Sequence, residues 1–226
     1  MNKKNKEKLL MVKHGDTRAI VSYSDKKPKI ISCSGKNNCG ISKKNCPKHC
    51  KIISIVEEFL SNGEKSNSIH EIFGEVMIGI GEYYVGKRTL IKTIGLGSCV
   101  AVALYDQKKP IGGLAHIMLP GASENGKAKY AGVAIEKMLE DMRRMGAKKN
   151  RIVAKLAGGA QVFKHITLDV LKIGERNIIS VEENLKKEGI EIIGKDTGGS
   201  VGRSVFFSTA DGSLLVRTSP GDERWL

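Results

Sequence analysis

The residues with the greatest chemical reach in this chain are its cysteines and histidines. Four of the five cysteines, Cys33, Cys39, Cys46 and Cys50, crowd into one short segment with the spacing C-x5-C-x6-C-x3-C, and His49 sits inside "CPKHC". In a reducing compartment such crowding points to a metal more than to disulfides. Four thiolates can complete a tetrahedral zinc site or hold an iron–sulfur cluster, although this spacing departs from paired CxxC ribbons and from ferredoxin runs. The other reading is a set of reduced thiols in a loop-rich segment. The fifth cysteine, Cys99, stands alone in "TIGLGSCVAVALYD" (93–106), between a glycine-rich turn and an apolar run. There it could be a nucleophile presented at a sheet edge, or a small hydrophobe at the start of a buried strand.

A thiol is a weak nucleophile until a base takes its proton. The histidines are His14, His49, His70, His116 and His165. The first three lie in the basic first third or at its seam. His116, in "GGLAHIML", occupies an apolar setting where an imidazole needs a reason to be. His165, in "GGAQVFKHITL", follows a loop and is the competitor. Spacing alone leaves two readings open: a Cys99–His116 catalytic pair, or an inert buried thiol and a satisfied core histidine. The glycines do not make a nucleotide site. "GLGSCV" has Val100 where a dinucleotide loop needs its third glycine, a strand rather than a helix follows, and no Gly-Lys-Ser/Thr occurs.

The elements that must position these residues are legible after about residue 65, where "SNGEKSNS" (61–68) reads as a polar linker. Before it, the only clear element is a helix at "KIISIVEEFL" (51–60). Beyond it, "EVMIGIGEYYV", "RTLIKTIG", "CVAVALYD" and "IGGLAHIMLP" read as strands, rich in β-branched and apolar residues. "YAGVAIEKMLEDMRRMG" (130–146) is an amphipathic helix, with Ile135, Met138, Leu139, Met142 and Met145 on one face and Gly146 placed to cap it. "RIVAKLAGGA" returns to strand. "GERNIISVEENLKKEG" is a second helix whose last turn carries lysines that suit its negative end. "IEIIGKD", "SVFFST" and "LLVRT" close the chain as strands, with a hairpin signal at "ADG" (210–212) between the last two. This order predicts an α/β, or α+β layered, sandwich over residues 71–226, preceded by a basic cysteine-rich extension over 1–70 that could be a metal-binding module.

The formal charge is +14. Residues 1–70 hold 15 Lys and Arg against 6 Asp and Glu, so +9 lies there and +5 in the remainder. A basic segment could meet an acidic partner, but its lysines are scattered and aromatic residues make up only 5% of the chain, which disfavours nucleic acid. No apolar run reaches the roughly 18 residues that span a bilayer, and "LLMV" (9–12) is too short for a signal peptide. The expected location is the cytoplasm, with no membrane insertion.

Six blocks then occur in order: "TIGLGSCVAVALYD", "GGLAHIMLP", "KYAGVAIEKMLEDMRRMGA", "AKLAGGAQVF", "IGERNI" and "DTGGSVGRSVFF". Together they resemble the CheD family of chemoreceptor glutamine deamidases across about residues 72–220. The resemblance implies a layered α/β sandwich related to the deamidating toxins of the cytotoxic necrotizing factor group. It implies hydrolysis of receptor glutamine side chains to glutamate, a protein-glutamine glutaminase activity, with some methylesterase activity. It places the family's nucleophile on Cys99, its histidine on His116 and its threonine on Thr93. The turn at Gly97 and Ser98 would supply oxyanion donors, and Gln161 and Arg203 are candidate substrate-rim residues. Catalysis would need no cofactor. Methyl-accepting chemotaxis receptors, and CheC competing at the same surface, are the implied partners. The alternative is a non-catalytic adaptor that binds receptors or CheC without turnover.

Overall fold

A computed structural model describes residues 8–14, 17–24, 27–33, 51–62, 69–121, 128–161 and 172–226. The chain divides into two compact units, Met1–Phe73 and Gly74–Leu226.

The first unit is more than an extension. Three strands, β1 (Lys8–His14), β2 (Thr17–Ser24) and β3 (Lys27–Cys33), precede the expected helix α1 (Lys51–Asn62), and β4 (Ile69–Ile72) follows it. They form an antiparallel sheet in the order β3-β2-β1-β4. Leu10, Val12, Ala19, Val21, Ile30 and Ile69 pack with Ile52 and Val56 of α1 in a core of their own. The strands escaped sequence reading because β1 buries only the three residues Leu10–Val12 between lysine-bearing ends, a run too short to show a period. Pro28, in β3, is tolerated because β3 is an edge strand.

The second unit has three layers. Strands β5 (Gly74–Met77), β6 (Tyr83–Lys87), β7 (Thr89–Leu96), β8 (Val100–Asp106) and β9 (Ile111–Ile117) lead to helix α2 (Ala131–Arg144). Then come β10 (Ile152–Gly158), α3 (Ile173–Lys187), β11 (Glu191–Thr197), β12 (Arg203–Ser208), β13 (Leu214–Thr218) and β14 (Glu223–Trp225). One sheet runs β11-β10-β8-β9-β6 and the other β14-β13-β12-β7-β5. The run expected as one strand over 75–85 therefore breaks at the Gly79–Gly81 turn, and its halves join different sheets.

Both helices lie on the outer face of the first sheet. Val100, Val102, Leu104, Ala115, Ile117 and Leu156 pack there with Ile135, Met138, Met142, Val181 and Leu185. The opposite face of the same strands meets the second sheet: Ala101, Ala103, Leu114 and Ala157 pack against Ile91, Val205, Phe207, Leu214 and Val216. A strand covered on both faces needs apolar side chains in both directions, which is why "VAVALYD" reads as a continuous run. Each helix stops as its glycine predicts. Gly146 has φ +96°, its N–H reaches the Arg143 carbonyl, and Ala147 N–H reaches Met142, the paired bonds of a Schellman turn. Gly189 and Ile190 repeat the pattern on Lys186 and Leu185. Among the described residues, no helix is long and apolar enough to cross a membrane.

Candidate active site

His116 lies in the middle layer of the second unit, between the sheets. Its register partner on β8 is Ala101, whose methyl packs in the inter-sheet core with Leu114. Residues directly opposite on antiparallel strands share a face, so the imidazole enters the same layer. It is fully buried. Its main chain is fixed on both sides, with N–H donating to Glu82 O at 2.9 Å and the carbonyl accepting from Gly81 N–H at 2.9 Å.

Thr93 approaches from the other sheet. Ile91 and Leu96 of β7 belong to the inter-sheet core, and Thr93, two residues beyond Ile91, faces the same way. Its Oγ1 lies 2.8 Å from His116 Nδ1 and donates to Ile78 O at 2.9 Å. A hydroxyl has one proton, and here the Ile78 carbonyl takes it. Oγ1 must then accept from His116, which assigns the proton to Nδ1 and leaves the lone pair on Nε2. Nε2 is buried and has no hydrogen-bond partner among the described residues.

Cys99 immediately precedes β8 and packs partly buried against the inter-sheet core beside Ala101 and Ala103. Extending the β8–β9 register by one step pairs it with Met118, which makes His116 its diagonal neighbour on the same face. Burial pushes the thiol above its usual value of 9.0 and pushes the imidazole below 6.5. Both shifts favour the uncharged forms, so the resting site holds a neutral thiol and a neutral imidazole.

The turn that carries Cys99 is laced into two other glycine-rich segments. Gly97 O accepts from Ala160 N–H at 2.7 Å and Cys99 O from Gly159 N–H at 2.7 Å. Gly198 N–H donates to Gly158 O and Gln161 N–H to Gly199 O. Ser98 O, between the two engaged carbonyls, takes the side chain of Asn177, whose Nδ2 donates to it and to Met118 O at 3.0 Å each. In a trans peptide the N–H opposes the C=O. With all three carbonyls turned towards β10 and α3, the N–H groups of Ser98 and Cys99 are turned away from those elements, while that of Val100 faces β9 within the sheet.

The structure joins Thr93 to His116 and sets Cys99, on the turn with Gly97 and Ser98, at the adjoining strand end on the same face, with no hydrogen bond between Sγ and Nε2. It corrects the expectation for Arg203. That side chain is 9% exposed and paired with Asp196 at 2.9 Å, and it donates to Gly198 O and Val201 O; it builds the rim loop instead of reaching out to a substrate. Gln161 is exposed on the rim and ties the two rim segments together through its main chain. The competitor His165 lies outside the described residues. So do Cys39, Cys46 and Cys50; Cys33 ends β3 opposite Ala19 and is half-buried. Among the described residues no three His, Cys, Asp or Glu cluster as metal ligands. Sequence reasoning missed Asn177. A fully buried amide on an amphipathic helix was the available signal, hidden inside the block "IGERNI".

Comparison with known proteins gives two family models. CheD chemotactic sensory transduction matches residues 118–218, beginning just after His116, and an AF2210-like protein family matches 9–72. A relative from Methanosarcina acetivorans, a probable chemoreceptor glutamine deamidase CheD 2, is 49% identical over 96% of this chain and 98% of its own length. A Methanosarcina mazei protein, a probable chemoreceptor glutamine deamidase CheD 1, is 50% identical over 84% of this chain and 89% of its own. An Archaeoglobus fulgidus protein, a probable chemoreceptor glutamine deamidase CheD, is 53% identical over 98% of its own length but only 67% of this chain. Among solved structures, a Neisseria meningitidis protein described by family model DUF152 overlaps 85% of this chain at a TM-score of 0.36 and 10% identity, a likeness too low to bear on the fold.

Proposed function

The chain belongs to the CheD family, and from that premise we propose that it is a cysteine-dependent protein-glutamine deamidase that converts glutamine side chains of chemotaxis receptors to glutamate. The observation that carries the mechanism is the Thr93–His116 contact of 2.8 Å, which leaves Nε2 as an unpartnered base in the layer that Cys99 enters.

His116 Nε2 takes the Cys99 proton as sulfur attacks the carboxamide carbon. The C=O becomes an oxyanion, held by the N–H groups of Ser98 and Cys99. The imidazolium returns its proton to the amide nitrogen, the C–N bond breaks and ammonia leaves a thioester. His116 then takes a proton from water, hydroxide adds to the thioester, and sulfur departs and is reprotonated. Glutamate and the free thiol result, and water is the only co-substrate. A glutamate methyl ester would follow the same course with methanol leaving, so a methylesterase side activity is expected of the same site.

The test is incubation with the cytoplasmic fragment of a chemotaxis receptor and mass spectrometry of its glutamines. Conversion by the wild type and none by Cys99→Ala is expected; conversion that persists in Cys99→Ala would overturn the mechanism. Binding without conversion by the wild type would favour the adaptor reading. CheC, competing with receptors for the Cys99 face, should slow conversion in the same assay. We further propose a cytoplasmic location, and a zinc or iron–sulfur site at Cys33, Cys39, Cys46 and Cys50. Metal analysis with an absorption spectrum separates the two metals from none.

Thr93 and pH give two further checks. Thr93→Val keeps the shape but leaves Nδ1–H unpaired and the tautomer unfixed, so kcat should fall by about 100-fold, while Thr93→Ser keeps the hydroxyl and most of the rate. Equal rates for the valine variant and the wild type would remove Thr93 from the mechanism. For pH, neutral His116 is the active form and its folded-state value is depressed, so kcat/KM should hold as pH falls through 6.5 and decline only below it. Stability follows the same sign. The unfolded chain takes up the histidine proton first, so the contribution present above 6.5 is lost as pH falls towards the folded-state value. An acid limb centred at or above 6.5 would contradict the buried, neutral imidazole.

A further inference from the structure

The three consecutive carbonyls that set the Cys99 turn are not held alike. Those of Gly97 and Cys99 are held by main-chain N–H groups of Ala160 and Gly159, but that of Ser98 is held by a side chain, Asn177 Nδ2. The Ser98 carbonyl belongs to the peptide whose opposite edge is the N–H of Cys99. That N–H sits on the nucleophile itself, so it is the donor best placed for the charge that forms when sulfur adds to a carbonyl. Asn177 is fully buried, and both protons of its Nδ2 are used, one on Ser98 O and one on Met118 O. Two acceptors facing one group fix the amide with nitrogen inward, because the flipped amide would set oxygen against two carbonyls.

We propose that Asn177 is a positioning residue for the oxyanion: through the Ser98–Cys99 peptide it aims the Cys99 N–H at the developing negative charge. The donated hydrogen bond also polarises that peptide, which strengthens the N–H as a donor. The proposal rests on the deamidase reading given above. Because the oxyanion exists only after sulfur has added, the effect falls on kcat and spares substrate binding. It also spares the attack of sulfur on reagents that form no oxyanion.

That separation supplies the test. Asn177→Leu keeps the bulk of the side chain and removes both donors. Three quantities are measured on the full-length protein: kcat and KM for a receptor cytoplasmic fragment, and the rate at which iodoacetamide alkylates Cys99, read on its own peptide by mass spectrometry. The expected result is a kcat lower by about 10- to 100-fold, somewhat less than removal of a whole oxyanion donor, with KM and the alkylation rate within about threefold of the wild type. An unchanged kcat would overturn the proposal. So would a parallel loss of kcat and alkylation, which would mean that Asn177 serves the thiol–imidazole pair instead. If the leucine variant does not melt cooperatively, Asn177→Ala carries the same readings. Absence of turnover by the wild type would overturn the deamidase reading and this proposal with it; turnover by the wild type with an unaffected Asn177 variant overturns this proposal alone.

Discussion

Replacing Cys99 with alanine is expected to reduce glutamine conversion by about four orders of magnitude or more, and His116→Ala to do nearly the same. The two losses should not add. Sulfur without its base stays a neutral thiol, since burial already holds the Cys99 proton on, and a base without sulfur has nothing to activate. The double variant should therefore be no slower than the worse single one, as read from initial rates on a receptor fragment. Additive losses would mean that the two residues act in separate steps. Cys99→Ser should be as inactive as the alanine variant, because a hydroxyl beside an imidazole of lowered basicity is deprotonated far less readily than a thiol. Neither change removes a main-chain contact of the turn, so melting temperatures should remain near the wild-type value.

The second large effect concerns stability. Gly158 adopts φ +109°, and a Cβ built there would lie 2.3 Å from the Cys99 carbonyl oxygen. The clash is with main chain, which has no rotamer to change, and it falls on the segment that seats the nucleophile. Gly158→Ala should cost about 3–5 kcal/mol, lowering the melting temperature by roughly 10 °C for a unit of this size, and activity should fall with it. Gly159 makes a graded comparison. Its φ of +67° is one that non-glycine residues can adopt at some cost, and its nearest neighbour is the flexible Ile178 side chain, at 2.5 Å. Gly159→Ala should therefore be the milder substitution. If Gly158→Ala melts within about 2 °C of the wild type, the close approach of β10 to the Cys99 turn is not as described.

Much of the second unit could be read from its residues because their patterns are local. The two helices announce themselves by an apolar stripe and a glycine stop, and β8 by seven residues of which only Tyr105 is not fully buried. His116 stands out because a polar ring in an all-buried strand demands a partner. That partner was not legible from spacing. Thr93 and His116 lie on different sheets, and only the packing of one sheet on the other brings Oγ1 to Nδ1. Asn177 is harder still, since its role depends on two carbonyls 59 and 79 residues away in sequence. Arg203 misled for the opposite reason: an arginine beside glycines looks available until Asp196 is seen to hold it. In the first unit, short strands with lysines at their ends carry almost no periodic signal, and the sheet emerges only from pairing.

The neutral resting state of the site has a consequence for its chemical durability. Oxidants such as hydrogen peroxide react with thiolate, not thiol, and carry an exposed low-pKa cysteine through sulfenic to sulfinic acid. A nucleophile ionised at rest would face that hazard continuously. Here burial raises the Cys99 thiol above its ordinary value and lowers the His116 imidazole, so in the proposed mechanism the proton would leave sulfur only when a carbonyl is there to be attacked. The same desolvation that would make the thiol slow towards stray electrophiles would also shelter it from oxidative loss between turnovers.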